Sequence, residues 1–349
     1  MTDPEKMRFT GHNLSGEGQL TSETQRIFDE VGALDPELLE SPETRQLVAI
    51  GAAYIHEVTN RHGSPDAPAW YAGTVDHAMM TYHNGESDIA NGHTSAGADG
   101  AGVPRNALSI ALTINARAGY QVVGPLQRAL LFVSGAAHDF VQLCGRSVAV
   151  AEGDERLSAD HLYETLLSAG HSEAVAQEGA RYVMATMYDP SQGRHVIATE
   201  GMPFQTILGQ QIVAAADLLS PVTEFGALGS MQWTLEEFGL GQKNRVLHAE
   251  LTAQGLSPAD VADLPSLLAF VDATPDLKQR FVAGLRGQAG WIEDITYSDS
   301  AIRMACGAGI NDMFPGRAQT AANLRALADY ADQGAPLREL FRLAGASYL

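Results

Sequence analysis

The sequence predicts an all-α fold, and three observations carry that reading. Apolar residues recur at helical spacing along most of the chain, as at Leu47, Ile50, Ala53 and Tyr54. Helix start and stop signals punctuate those runs, with Pro104, Pro125 and Pro203 at openings and Gly170 and Pro221 at ends. β-branched alternation of useful length is nearly absent.

Taken in order, residues 1 to about 20 carry Gly11, Gly16 and Gly18 among polar residues and read as a flexible arm. Ser22 can cap a helix through Val31, and Ser41-Pro42-Glu43 opens another that runs to about Asn60. His56 and His62 fall near its end and read as surface or helix-end histidines. Pro65 and Pro68 break the chain, and a short helix is expected over Tyr71 to Met80. The stretch Thr81 to Gly102 is polar and glycine-rich, too much so for a stable helix; a long polar loop in a compact chain is commonly functional. Helices from Pro104 through Ile114 and from Pro125 to His138 follow. Residues 153–157 read as a polar turn, with Ser158 capping a helix to Leu167 and a further helix over 172–187. Residues 188–199 read as a polar loop. A helix over Phe204 to Leu219 comes next, stopped by Pro221. Beyond it the pattern stays helical, at 235–238, 245–251, 257–262, 265–271, 276–291, 299–306, 318–330 and 336–343. The organisation expected is an arm and helix over 1–40, a core over 41–225, and a C-terminal helical extension over 226–349 packed on that core. No period suggests a solenoid.

Composition narrows the function. A chain of 349 residues buries a sizeable core, and 45% hydrophobic with 18% charged residues is ordinary for a globular protein. The formal net charge is −20, with Lys6, Lys243 and Lys278 the only lysines, which argues against a nucleic-acid partner. Cys144 and Cys306 provide no disulfide framework, so a reducing, cytoplasmic setting is expected. The polar N-terminus lacks the apolar segment of a signal peptide, and no apolar run is long enough to span a bilayer, so no membrane partner is expected.

The stretch 130–142 organises the rest. It opens as the almost wholly apolar Leu130-Leu131-Phe132-Val133-Ser134-Gly135-Ala136-Ala137 and then sets His138 beside Asp139. A carboxylate in such surroundings needs a cation nearby or must take up a proton. A divalent metal would be that cation, with His138 offering nitrogen and Asp139 oxygen. Asp217 is a second acid in an apolar helical run, at a helix C-terminus where the dipole disfavours it, which again argues for a cation.

An upstream histidine, His138-Asp139 and then Asp217 follow the H…HD…D order. Together with Tyr82-His83-Asn84, Glu155-Arg156-Leu157-Ser158-Ala159 and Met184-Ala185-Thr186, this resembles the HD-domain metal-dependent phosphohydrolases, in the pattern of their cyclic-nucleotide phosphodiesterase-like members. The similarity covers about residues 70–225. It implies an HD-domain-like helical bundle with additional C-terminal helices, and one or two divalent ions (Mn, Fe, Mg, Ni or Zn). It further implies hydrolysis of a phosphate mono- or diester, or a nucleotide, by a metal-bound hydroxide. His138, Asp139 and Asp217 would be ligands, with Asp139 bridging. His83 would be the general acid, and Gln142, Glu155 and Asn84 substrate-orienting or supporting groups. One departure stands out. Where members read Y-H-N-x-x-H, this chain has Ser87 in the ligand's place. His93, in Asn91-Gly92-His93-Thr94, is the first candidate to replace it, then His83, then His77.

Two other readings remain. A di-iron oxygenase on the same scaffold would need two of His161, His171 and His195 at the metals; each of the three reads by itself as an exposed histidine beside polar neighbours. A degenerate, non-catalytic protein is the other, motivated by Ser87. Arg146, Arg181 and Arg194 are weak phosphate-binding candidates, while Met79, Met80, Met184 and Met187 read as core filler. The apolar content of the C-terminal helices points to lid contacts or contacts between subunits in a homo-oligomer.

Overall fold

A computed structural model describes residues 22–62, 102–138, 140, 154–189, 194–219, 226–235, 245–261 and 264–345. The expected N-terminal arm, the helix over 71–80 and the glycine-rich stretch to 101 lie outside them. So do His77, His83, Asn84, Ser87, His93, Asp139, Gln142, Cys144 and Arg146, and the side chains of His56 and His62.

The architecture is all-α. The first part comprises α1 (Ser22–Leu34), a 3-10 turn (Pro36–Leu39), α2 (Pro42–His62), α3 (Val103–Ala118), α4 (Pro125–Ala137), α5 (Asp154–Ser168), α6 (Glu173–Met184) and α7 (Phe204–Asp217). The second comprises α8 (Gly226–Trp233), α9 (Arg245–Ala253), a 3-10 turn (Pro258–Val261), α10 (Leu264–Ala273), α11 (Pro275–Asp294), α12 (Ser300–Cys306), α13 (Ile310–Met313), α14 (Arg317–Asp332) and α15 (Leu337–Leu343).

Helix α4 is the axis of the first part. Every residue from Arg128 to Ala137 is buried, because α2, α3, α6 and α7 all pack against it. An all-apolar helix can be stable only in that position. Glycines allow close crossings around it, two of them at Gly135 and Gly209. A Cβ on Gly135 would sit 3.1 Å from the Pro104 backbone at the start of α3, and one on Gly209 of α7 would sit 2.2 Å from the Tyr182 ring. The space a side chain would fill is occupied by a neighbouring helix in both cases.

One charge lies inside this apolar region. Arg128, 1% exposed, donates from Nε to Asp35 at 2.5 Å and from Nη2 to Glu37 at 2.6 Å, and its Nη1 donates to the Val123 carbonyl at 2.7 Å. A buried guanidinium is tolerable only with such partners, and they fix the 3-10 turn that joins α1 to α2 against the start of α4.

The buried apolar residues fall into two clusters. The first runs from Ile27 to Leu219 and takes in Ala301, Ile302 and Ile310 from the neighbourhood of α12. The second, from Leu228 to Phe341, is built by α8–α11, α14 and α15, with the pair α11 and α14 at its centre. Met184 packs against the first cluster, as core filler should.

Two expectations need correction, and a third falls mostly outside the described residues. Residues 154–157 are helical, so α5 begins before Ser158, which is buried inside it; Asp154 and Glu155 suit the positive end of the helix dipole. Helix α8 occupies Gly226–Trp233; of the expected helix over 235–238 only Leu235 lies among the described residues, buried in the helical turn that follows α8. The loop 188–199 contains an antiparallel pair, β1 (Tyr188–Asp189) with β2 (Arg194–His195), in which Tyr188 faces His195. The intervening Pro190 to Gly193 segment, bounded by Tyr188 and Val196, is a turn signal with β-favouring flanks.

Candidate functional site

The end of α4 and the end of α7 meet. His138 Nε2 lies 3.4 Å from Oδ1 of Asp217, and His195 Nε2 lies 3.1 Å from its Oδ2. His138 and His195 are 1% and 5% exposed, whereas the Asp217 side chain keeps 20% of its surface open. The site is thus two buried imidazoles gripping opposite oxygens of one carboxylate that is still reachable from solvent. The expectation that His195 stands exposed is corrected. The β hairpin folds it inward, and the Tyr188 ring meets it edge-on with centroids 5.7 Å apart.

The hydrogen bonding of His138 defines what its other nitrogen can do. Nδ1 lies 2.8 Å from the Gly135 carbonyl oxygen, one turn back along the same helix. A carbonyl only accepts, so Nδ1 carries the proton, and in the neutral ring Nε2 then presents a lone pair. That lone pair faces a carboxylate oxygen, which also only accepts. The arrangement calls for positive charge between them, either a second proton on the ring or a metal cation.

Spacing bears on the same choice. A charge-assisted N–H···O contact closes to about 2.7–2.9 Å, whereas two nitrogen or oxygen donors of one ion stand about 2.9–3.4 Å apart. The 3.4 Å between His138 and Asp217 fits the second pattern. Nδ1–H bonded to a backbone carbonyl is also how a ligating histidine is held. His138 Nε2 and an Asp217 oxygen are thus close enough that both could donate to one divalent ion. Among the described residues no group of three or more His, Cys, Asp or Glu could hold an ion by itself; Asp139 and the upstream histidines lie outside them.

Electrostatics at Asp217 are lopsided. Burial raises the carboxyl's pKa, but with both rings protonated the hydrogen bonds and charges of His138 and His195 outweigh it and hold the group below the ordinary carboxylate range. Asp217 is then an anion at any physiological pH. Its backbone is held too: Asn106 donates to the Ala216 carbonyl at 3.1 Å and Tyr297 to that of Leu218 at 3.3 Å. Burial pushes the Tyr297 phenol up to about 12, so it stays a donor.

The other sequence candidates are spread around this centre. His161 on α5 pairs through Nδ1 with the Tyr54 hydroxyl at 2.7 Å and lies against Phe140, 4.6 Å between centroids. Tyr54 and Phe140 meet edge-on at 4.9 Å, so α2, α5 and the segment just past His138 are joined by three rings. His171 is buried, against expectation, in the turn between α5 and α6; burial lowers its pKa, with Glu43 opposing. Glu155 is half-buried in the first turn of α5. Arg181 pairs with Glu178 at 3.5 Å, and Arg194 is exposed on β2. Among the described residues no helix is long and apolar enough to cross a membrane.

No family model, curated protein or solved structure matches the chain.

Proposed function

We propose that the protein is a metal-dependent phosphohydrolase acting on a phosphate mono- or diester or a nucleotide in a cytoplasmic setting. The observation that supports this reading most directly is the 3.4 Å approach of His138 Nε2 to Asp217, with Nδ1 committed to the Gly135 carbonyl, so that a ring proton or a cation stands between nitrogen and carboxylate. One or two divalent ions bound there would supply Lewis acidity toward a phosphoryl oxygen and lower the pKa of water.

The chain's own residues do the rest. His138, oriented by the Gly135 carbonyl, and the Asp217 carboxylate would hold two ligand positions. Asp139 joins them by resemblance, with His93, His83 or His77 as the upstream ligand. His195 orients the free side of the Asp217 carboxylate and screens its charge from an approaching phosphate. His83 is assigned the proton donor for the leaving oxygen, a task suited to an imidazole.

The arrival of His195 favours one other reading, a di-iron oxygenase. That chemistry needs a second histidine, His161 or His171, to reach the same ions; the Tyr54 hydroxyl holds His161 through Nδ1. Elemental analysis of purified protein, paired with hydrolysis of p-nitrophenyl phosphate and bis-p-nitrophenyl phosphate across Mn, Mg, Fe and Ni, tests the proposal. Asp139→Ala is expected to abolish metal retention and hydrolysis with helical content intact; hydrolysis that survives it rejects the mechanism. Dioxygen uptake by iron-loaded protein, with no hydrolysis, would select the oxygenase.

A further inference from the structure

The last carbonyls of a helix have no donor within it. At the end of α7 the carbonyls on either side of Asp217 are each taken by a side chain from elsewhere. Asn106 of α3 takes that of Ala216, and Tyr297, in the segment between α11 and α12, takes that of Leu218. A second tie runs between the same two regions. Gln211 of α7, 3% exposed, accepts the Ala301 N–H at 2.7 Å through Oε1 and donates to Ser300 Oγ at 3.1 Å through Nε2. The first turn of α12 is thereby bound to the helix that carries Asp217.

Such ties matter at this place for a geometric reason. His138 and His195 hold opposite oxygens of one carboxylate, so a small rotation of the Asp217 backbone lengthens one contact as it shortens the other. Asp217 is also the last helical residue of α7, where a helix frays most easily.

We propose that Tyr297, backed by the Gln211–Ser300 tie, is a positioning residue through which the C-terminal region sets the orientation of Asp217 in the metal site. The inference rests on the reading of Asp217 as a metal ligand. It gives residues 295–302 a role in metal affinity, though none of them reaches the two imidazoles.

The test is Mn2+ binding to the full-length chain, followed by electron paramagnetic resonance, alongside thermal melting. Tyr297→Phe removes only the donor. It is expected to weaken Mn2+ affinity about 5- to 10-fold while lowering Tm by less than about 3 °C. Ser300→Ala, at an exposed position, gives a second and milder reading of the same tie, about 2- to 5-fold. Lys278→Met is the control: it breaks contacts to Asp272 and to the Ala335 carbonyl inside the second core, and should leave Mn2+ affinity at the wild-type value. Equal weakening by Lys278→Met and Tyr297→Phe would mean a general loss of stability and overturn the proposal. Wild-type affinity in Tyr297→Phe and Ser300→Ala, with Asp217→Asn losing Mn2+, would overturn it while leaving the metal reading in place. Wild-type affinity in Asp217→Asn would remove both.

Discussion

The ring of His138 is oriented by Gly135, whose carbonyl oxygen lies 2.8 Å from Nδ1. The same glycine lets α3 approach α4, since a Cβ there would meet the Pro104 backbone at 3.1 Å. One residue therefore serves packing and site geometry together. Gly135→Ala is expected to cost about 1–3 kcal/mol by overpacking and to weaken Mn2+ binding as well, because relief of the clash displaces the carbonyl. Urea denaturation and a Mn2+ titration measure the two effects; an alanine that leaves both unchanged would contradict this account.

His195 is the histidine that the fold adds to the site. His195→Gln is expected to weaken metal binding about 10-fold with the far-ultraviolet circular dichroism unaltered. A quenched hydrolysis rate at saturating metal would further place it against the reacting phosphate, whereas recovery at high metal would restrict it to holding Asp217.

The buried Arg128 gives a stability prediction independent of function. Asp35→Ala leaves the guanidinium 1% exposed with Glu37 as its remaining anion, and is expected to cost about 3 kcal/mol. Chemical denaturation reads this directly. Replacing Arg128 and Asp35 together by Leu and Ala should cost less than the single Asp35 change, since no unpaired charge then remains.

His171 supplies a pH dependence. Burial lowers its pKa in the folded chain, so below the ordinary histidine value of about 6.5 the unfolded chain binds more protons than the folded one. Stability from this group is present in full above that pH and is lost as pH falls through the folded value. Urea melts at pH 7.5 and 5.5 should therefore differ more for the wild type than for His171→Gln. An equal pH response in the two would exclude His171 as the source.

Much of this was legible before any coordinates. The run from Leu130 to Ala137 had to be buried on all sides, and it is; the order of His138 and Asp217 along the chain anticipated that their helices meet. What escaped the sequence had physical reasons. His195 sits in a polar segment with no apolar period, and its burial depends on a hairpin of two residues per strand, too short to show alternation. Arg128 is a single charged residue on an otherwise largely apolar helix. Its isolation among Leu126, Ala129 and Leu130 was the available sign that an acid elsewhere had to reach it, and nothing local said that Asp35 would. Contacts such as Tyr297 with Leu218 connect segments far apart in the chain, and single-sequence periodicity is blind to them.

The division of the apolar interior into two clusters has a consequence for heating. Among the described residues the helices that build the second cluster contribute none to the first, so two cooperative transitions are the expected calorimetric outcome. Tyr297 and Ser300 belong to the segment that bridges them. If the C-terminal half melts first, that bridge slackens and the carboxylate end of α7 is released while the helices around α4 remain folded. Loss of the His138–Asp217–His195 geometry would then precede collapse of the surrounding scaffold.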